Sequence, residues 1–215
     1  MLTLAMPDRQ ARYRALNTLL RSGTWREVVA GKTVLSVQFD PLRFASLEAV
    51  KTCLWQELNT PYELDQSSAN EIEIPICCDL DLAPDLAFIS DKLGLSPHAV
   101  IEKHIATSYQ VDLIGFTPGF AYLEGAGWAS DVPRLTRPRQ SVPAGSVGLA
   151  AGQCGLYALE GPGGWPLIGR TPRRLFNPQD QNPFQLHLGQ SVRFRLITRD
   201  DYRIAKANTK AKAKP

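Results

Sequence analysis

VPAGSVGLAAGQCGLYALEGPGGWPLIGRTP, residues Val142 to Pro172, decides how this chain is read. Gly or Pro breaks its apolar runs every few residues, so no helical period survives and each run is long enough only for a short strand. Twelve of the 16 glycines lie between Gly115 and Gly169, a density of turn residues among short strands that points to a barrel or sandwich. Working outward, Val111 to Phe116, Ser146 to Ala150, Gly155 to Leu159, Pro166 to Gly169 and Ser191 to Thr198 read as strands of one mainly β domain. The segment lacks GxxxxGK[ST], and its glycines recur between strand-like residues rather than before a helix. Nucleotide binding by this chain alone therefore has weak support in the sequence.

Upstream the periodicity changes. Pro84 to Leu93 and Pro97 to Thr107 read as helices, the second opened by Ser96 as N-cap and Pro97 in its first turn. Nearer the start, Pro7 to Arg21 is helical and ends at Gly23. Trp25 to Ala30 and Thr33 to Phe39 form a hairpin about Gly31 and Lys32. Ser46 caps a helix carrying Leu47, Val50, Leu54 and Leu58, and Glu71 to Cys77 alternates like a strand. The expected organisation is a small α+β domain over residues 1–79, a mainly β barrel domain with leading helices over 80–204, and a disordered basic tail over 205–215.

The formal charge of +3 belongs to that tail. Lys206, Lys210, Lys212 and Lys214 fall in the last eleven residues, leaving a body of −1 that does not suit nucleic acid. Cys53, Cys77, Cys78 and Cys154 include no CxxC pair. With only His98, His104 and His187 beside them, neither a metal site nor a disulfide framework has the required spacing. No apolar run approaches the roughly 20 residues of a membrane span, and the first 20 residues lack a signal-peptide pattern, so a reducing cytoplasm is the expected setting.

Several residue types invite chemistry. GFTPGFAYL, Gly115 to Leu123, reads either as a loop holding an aromatic wall over a small ligand, with Gly119 exposing backbone NH groups, or as a barrel corner packing its rings inward. In EGPGGWPLIGRTPRRLF, Glu160 to Phe176, the bulk-free Gly163 and Gly164 precede Trp165. Arg170 has the planar fork that grips a carboxylate, unless it pairs with Glu160 as a strut. His104 reads as a helix-terminus histidine or as a proton carrier facing the β domain. Ser146, in AGSVG, suits a hydrogen-bonding strand residue better than a nucleophile.

IGFTPGFAYL, the spaced PRL and PR pairs, the Val142–Pro172 segment, LFNP and LGQSVRF occur in order between Ile74 and Thr198. Together they resemble the KipI/PxpB family, also called allophanate hydrolase subunit 1 or the B subunit of 5-oxoprolinase. The resemblance implies a cyclophilin-like β-barrel after a small α+β domain. It also implies one component of an ATP-dependent 5-oxoprolinase, acting with a KipA/PxpC-like homologue and a PxpA-like homologue of the LamB/YcsF family. The ATP would be bound in the complex with the KipA/PxpC-like partner. Two other roles follow from the same resemblance: a regulator that inhibits a histidine kinase, and a component of an allophanate hydrolase or urea amidolyase. Prolyl isomerase activity would rest on fold analogy alone.

Family members open with a strand before their first helix. Here the helical pattern begins almost at the start, so the first domain is expected to be one strand short. Laid on the family motifs, His104, Glu160 and Arg170 are the expected catalytic groups. Arg139, Gln153, Tyr122, Gly119, Ser146, Gly163 and Gly164 are the expected substrate- or phosphate-binding positions.

Overall fold

The computed structural model describes residues 1–60 and 71–211, with the side chains of 210 and 211 left aside. The chain forms two compact units, Met1–Ser67 and Ser68–Pro215.

The first unit opens with a strand that the sequence pattern does not announce, β1 (Leu2–Ala5). It is followed by α1 (Arg9–Ser22), β2 (Glu27–Ala30), β3 (Val34–Gln38) and α2 (Leu47–Leu58). Asp8 caps α1 by accepting from the Ala11 NH, and Gly23 ends it in the left-handed conformation. Ser46 caps α2 through the Ala49 NH, as its sequence position predicts. The antiparallel sheet runs β1-β3-β2, so the strand expected to be missing is supplied by Leu2–Ala5. Leu19, Trp25, Val37, Val50 and Leu54 form the core, and Glu57 accepts from both Trp25 Nε1 (2.7 Å) and Thr24 Oγ1 (2.6 Å).

The second unit contains β4 (Ile72–Ile76), α3 (Leu86–Leu93), α4 (Pro97–Ala106), β5 (Ser108–Ile114), β6 (Ala121–Glu124), β7 (Arg139–Val142), β8 (Ser146–Ala150), β9 (Gln153–Leu156), β10 (Gly161–Gly163), β11 (Leu167–Arg170), β12 (Ser191–Leu196) and α5 (Arg199–Ala211). Seven strands make one sheet in the order β11-β8-β9-β6-β5-β12-β4, while β7 and β10 pair separately. Its two edges meet where Cys77, just past β4, exchanges backbone hydrogen bonds with Arg170, at 3.0 and 2.9 Å. The sheet is thereby a nearly closed, cyclophilin-like barrel following a small α+β unit, as the sequence predicts. Ile74, Ile76, Val111, Leu123, Val147, Leu149, Leu156 and Ile168 are among its buried filling.

Two boundaries need correction. The strand Ile72–Ile76, expected in the first domain, pairs in parallel with β12 and is part of the barrel, so the division falls before it and not at residue 79. The tail expected to be disordered begins inside α5. That helix starts with a reciprocal cap, Thr198 Oγ1 accepting from the Asp201 NH and the Asp201 carboxylate accepting from the Thr198 NH, and it buries Tyr202 against Cys77 and Leu82. Residues 205–211 are helical; 212–215 lie outside the described residues.

His104 is also corrected. Its ring lies 4.3 Å from that of Phe194 and is completely buried, with Nδ1 sharing a 2.7 Å hydrogen bond with the Tyr109 hydroxyl. Burial lowers its pKa from 6.5 to about 3. It is a neutral core residue with no solvent route for carrying protons.

The seam and the histidine each yield a prediction. A Cβ on Gly169 would stand 2.8 Å from both the Cys77 carbonyl oxygen and Ile76 Cδ1, so Gly169→Ala should force the seam apart. Equilibrium urea unfolding should show a loss of about 1–3 kcal/mol, and an unchanged midpoint would mean that the closure is looser than described. For His104, the folded-state pKa is below the unfolded value, so the unfolded chain takes up the proton first. Stability should be intact above about pH 6.5 and fall as pH drops from there towards 3. His104→Phe should flatten that acid slope while costing about 1–3 kcal/mol at pH 7, because the Tyr109 hydroxyl loses its His104 partner. An acid slope identical in both proteins would show that His104 does not titrate this way.

Candidate functional site

A cleft of about 170 Å³ opens on the barrel, and its walls are aromatic: Phe116, Phe120, Tyr122, Tyr157 and Trp165. The sequence builds it by removing side chains. A Cβ on Gly155 of β9 would come within 2.9–3.0 Å of Phe120 and Trp165, and one on Gly163 would strike the Tyr157 hydroxyl at 2.4 Å. Those rings can lie on the strands only because these positions are glycine. Phe120 is the hub, with edge-to-face contacts to Phe116, Tyr122, Tyr157 and Trp165 at centroid distances of 4.7–6.2 Å.

Tyr122 and Tyr157 bring hydroxyls to this apolar wall. Both pKa values are raised, chiefly by burial. The nearby Arg134 charge opposes the rise in each case, so the phenols stay protonated and act as hydrogen-bond groups. Arg134 lines the cleft and places its guanidinium 5.8 Å from the centre of the Trp165 ring. At the rim, Phe116 is 63% exposed and has a φ of 73°, an unfavourable backbone for a bulky residue. The turn holding it is closed by Gly115 NH to Phe120 O (3.1 Å) and Phe120 NH to Thr117 O (3.0 Å).

Arg134 and Leu135 also line a second cavity of about 410 Å³, whose other walls include Phe88, Lys92, Arg137 and Arg139 and, among the described residues, contain no carboxylate. The loop between Pro133 and Arg139 is fixed at several points. Leu135 NH donates to Gly164 O at 2.7 Å, and Arg139 Nη2 donates to Asp85 Oδ1 at 2.7 Å. The other oxygen of Asp85 accepts from Leu167 NH at 2.7 Å, which ties the base of the loop to the barrel strand β11. The combined chemistry is an apolar, ring-lined slot with polar hydroxyls, joined through one arginine to a cationic basin.

The expected site residues divide sharply. Tyr122, Gly163 and Gly164 line the cleft and Arg139 lines the basin, so four of the positions come together. Gly119 is buried within the Phe116–Phe120 turn at φ 78°, where a Cβ would strike Ala158 and Phe176 at 2.9 Å, and supports the corner rather than presenting a ligand surface. Gln153 stands at the far end of the β6–β9 ladder opposite Glu124, outside both cavities. Ser146 is completely buried in the barrel wall, and His104 belongs to the core.

Glu160 and Arg170 are not partners. Glu160 is exposed and accepts from Ser141 Oγ at 2.7 Å, whereas Arg170 closes the barrel with its backbone and brings its charge near Tyr202 of α5. The strut expected between Arg170 and Glu160 is not formed. Arg134, Arg137, Lys92 and Tyr157 are site residues that the sequence pattern does not single out. The signal for two of them is visible in PRLTRPR, residues 133–139, where prolines bound a run of arginines.

The family described as carboxyltransferase domain, subdomain C and D, matches residues 3–186. The 5-oxoprolinase B subunit of Bacillus subtilis (strain 168) is 41% identical over 155 residues, covering 72% of this chain and 65% of that protein. Its counterpart of the same name from Escherichia coli O157:H7 is 38% identical over 170 residues, 78% of this chain and 76% of that protein. Among solved structures, TTHA0988 superposes with a TM-score of 0.79 at 32% identity, over 91% of this chain and 39% of the other. This chain thus spans just under two thirds of the Bacillus relative and about two fifths of TTHA0988. With the match running through the barrel strands that carry the aromatic cleft, the chain belongs to the KipI/PxpB family, that of the 5-oxoprolinase B subunits.

Proposed function

We propose that this chain is the B subunit of a cytoplasmic ATP-dependent 5-oxoprolinase, working with PxpC-like and PxpA-like homologues to hydrolyse 5-oxoproline to glutamate, and that the aromatic cleft receives the substrate. The observation that carries this reading is Arg134 placed over the Trp165 ring at the edge of a small ring-lined slot. 5-Oxoproline is a flat five-membered lactam with one carboxylate. The slot matches its apolar ring edge, and a guanidinium can hold the carboxylate bidentately.

Opening the lactam requires activation of a resonance-stabilised amide, and ATP supplies this in the complex by phosphorylating the carbonyl oxygen. The contribution of this chain is positional. Arg134 fixes the carboxylate end, Tyr122 and Tyr157 face the ring with neutral hydroxyls, and Phe116 covers the mouth against water. With His104 in the core and Glu160 exposed on Ser141, the proton transfers of ring opening fall to groups of the partner proteins. The isolated chain should therefore be inactive.

Reconstitution with the PxpA-like and PxpC-like homologues tests both statements. Activity should appear only in the mixture. Arg134→Lys, which keeps charge but loses the planar fork, should lower kcat/KM by about tenfold or more, equivalent to roughly 1.4 kcal/mol, mainly through KM. Its unfolding midpoint should be unchanged, because the Arg134 side chain is exposed. Cleavage of 5-oxoproline by this chain alone, or an Arg134→Lys complex with normal kinetics, would overturn the assignment.

A further inference from the structure

Of the cations in the basin beside the cleft, only Arg134 is used in holding the lactam. Three of its cations, Lys92, Arg134 and Arg137, are exposed, and no carboxylate among the described residues lines the same wall. Arg139 is different: its charge is already matched by Asp85, whose two oxygens are both engaged, by Arg139 and by the Leu167 NH. The second terminal nitrogen of Arg139, Nη1, is buried and has no hydrogen-bond partner among the described residues. A buried, unpartnered guanidinium nitrogen is costly unless an acceptor reaches it. Three exposed positive groups not matched by a lining acid form an excess that a single carboxylate cannot neutralise.

The backbone adds a second argument. Arg134 and Arg137 sit in Pro133-Arg134-Leu135-Thr136-Arg137-Pro138-Arg139, where prolines fix φ near both ends. The loop is further pinned at Leu135 to Gly164 and at Arg139 to Asp85. Holding like charges together on a pinned loop costs stability through repulsion, and the loop's ordering entropy is already spent before a ligand arrives. Such preorganised cations fit an extended anion with several charges spaced along it. Phosphate groups are good acceptors for arginine forks.

We infer that the basin formed by Lys92, Arg134, Arg137 and Arg139 binds the polyphosphate chain of a nucleoside triphosphate, on this chain itself and without a glycine-rich cradle. Arg134 is shared by the basin and the aromatic cleft, so it sets the phosphates beside the slot. The naming of ATP as the nucleotide rests on the 5-oxoprolinase reading; polyphosphate binding does not. Lys92 comes from the last turn of α3 and the arginines from the 133–139 loop, so the site joins two segments about 40 residues apart.

The test is calorimetric titration of the full chain alone with tripolyphosphate, ATP, sulfate and a poly-glutamate peptide at low and raised salt. Tripolyphosphate and ATP should bind, more weakly as salt screens the cations, while sulfate and the peptide should bind at least about tenfold less tightly. Lys92→Gln with Arg137→Gln, both exposed positions that leave the core untouched, should weaken ATP and tripolyphosphate by about tenfold or more with an unchanged unfolding midpoint. Arg139→Gln, with Asp85→Asn added to avoid a buried unpaired charge, provides a second loss. No binding of ATP, equal binding of sulfate or poly-glutamate, or ATP binding indifferent to the double variant would each overturn the inference. Binding that follows this pattern in a chain that never supports 5-oxoproline cleavage would leave the site standing and remove the substrate assignment instead.

Discussion

Everything in the larger unit hangs on the pair of backbone hydrogen bonds between Cys77 and Arg170. Without them the seven-stranded sheet would end in two open edges, β4 and β11, each presenting unpaired amides and carbonyls. Closure also requires Ile76 and Gly169 to approach so closely that no side chain fits at 169. Both edges of the seam come from segments distant in sequence. β4 pairs with β12 in parallel across more than a hundred residues, and Cys77 meets Arg170 across 93. Contacts of such separation reward the chain only after large loops have closed, which makes this barrel a slow-folding topology compared with a helical unit of equal size.

Asp85 carries the seam's geometry to the site. It stands at the start of α3, its backbone NH reaches Leu167 O at 3.3 Å, and its carboxylate takes the Leu167 NH and Arg139. One side chain thus fixes the helix to β11 and the arginine loop to both. Burying a carboxylate is tolerated here because every strong acceptor site has a directed donor, one of them charged. Leu167 precedes Arg170 on the same strand and follows Trp165, so the interaction that orders the loop also sets where the cleft's largest ring lies. The basin and the cleft are two outcomes of one anchoring point.

How much is legible in the sequence depends on whether the determining contact is local. The caps at Ser46 and Ser96, the end at Gly23, and the strand over Ser146–Ala150 are written in neighbouring residues, and the structure has them so. Ile72–Ile76 is recognisable as a strand but not as part of the barrel, because its partner is β12 and nothing near it in sequence announces a parallel pairing. The helix after Thr198 is obscured by the lysines that follow it, although Thr198-Arg199-Asp200-Asp201 is a capping pattern and Tyr202 supplies an anchor. Residue type misleads at His104, Ser146 and Arg170. Reactive side chains are visible there in the sequence, but the face on which each falls is not.

The glycines show the same limit from the other side. Their density in Val142–Pro172 reads as turns around short strands, and several do serve that way, yet Gly148 and Gly155 lie within strands where a Cβ would meet Trp165 at 2.9–3.0 Å. Here glycine is an absence of side chain that admits a ring, and only the fold reveals which ring. Phe116 completes the arrangement under strain: a bulky residue at positive φ costs on the order of 1–3 kcal/mol, and its exposed ring recovers little of that by burial in the free protein. A guest in the cleft would cover apolar area worth about 25 cal/mol per Å² while leaving the strain where it already is. The backbone cost is borne in folding, so the binding step meets the guest's lost translational and rotational freedom and the ring's remaining rotamer freedom, but not the strain again.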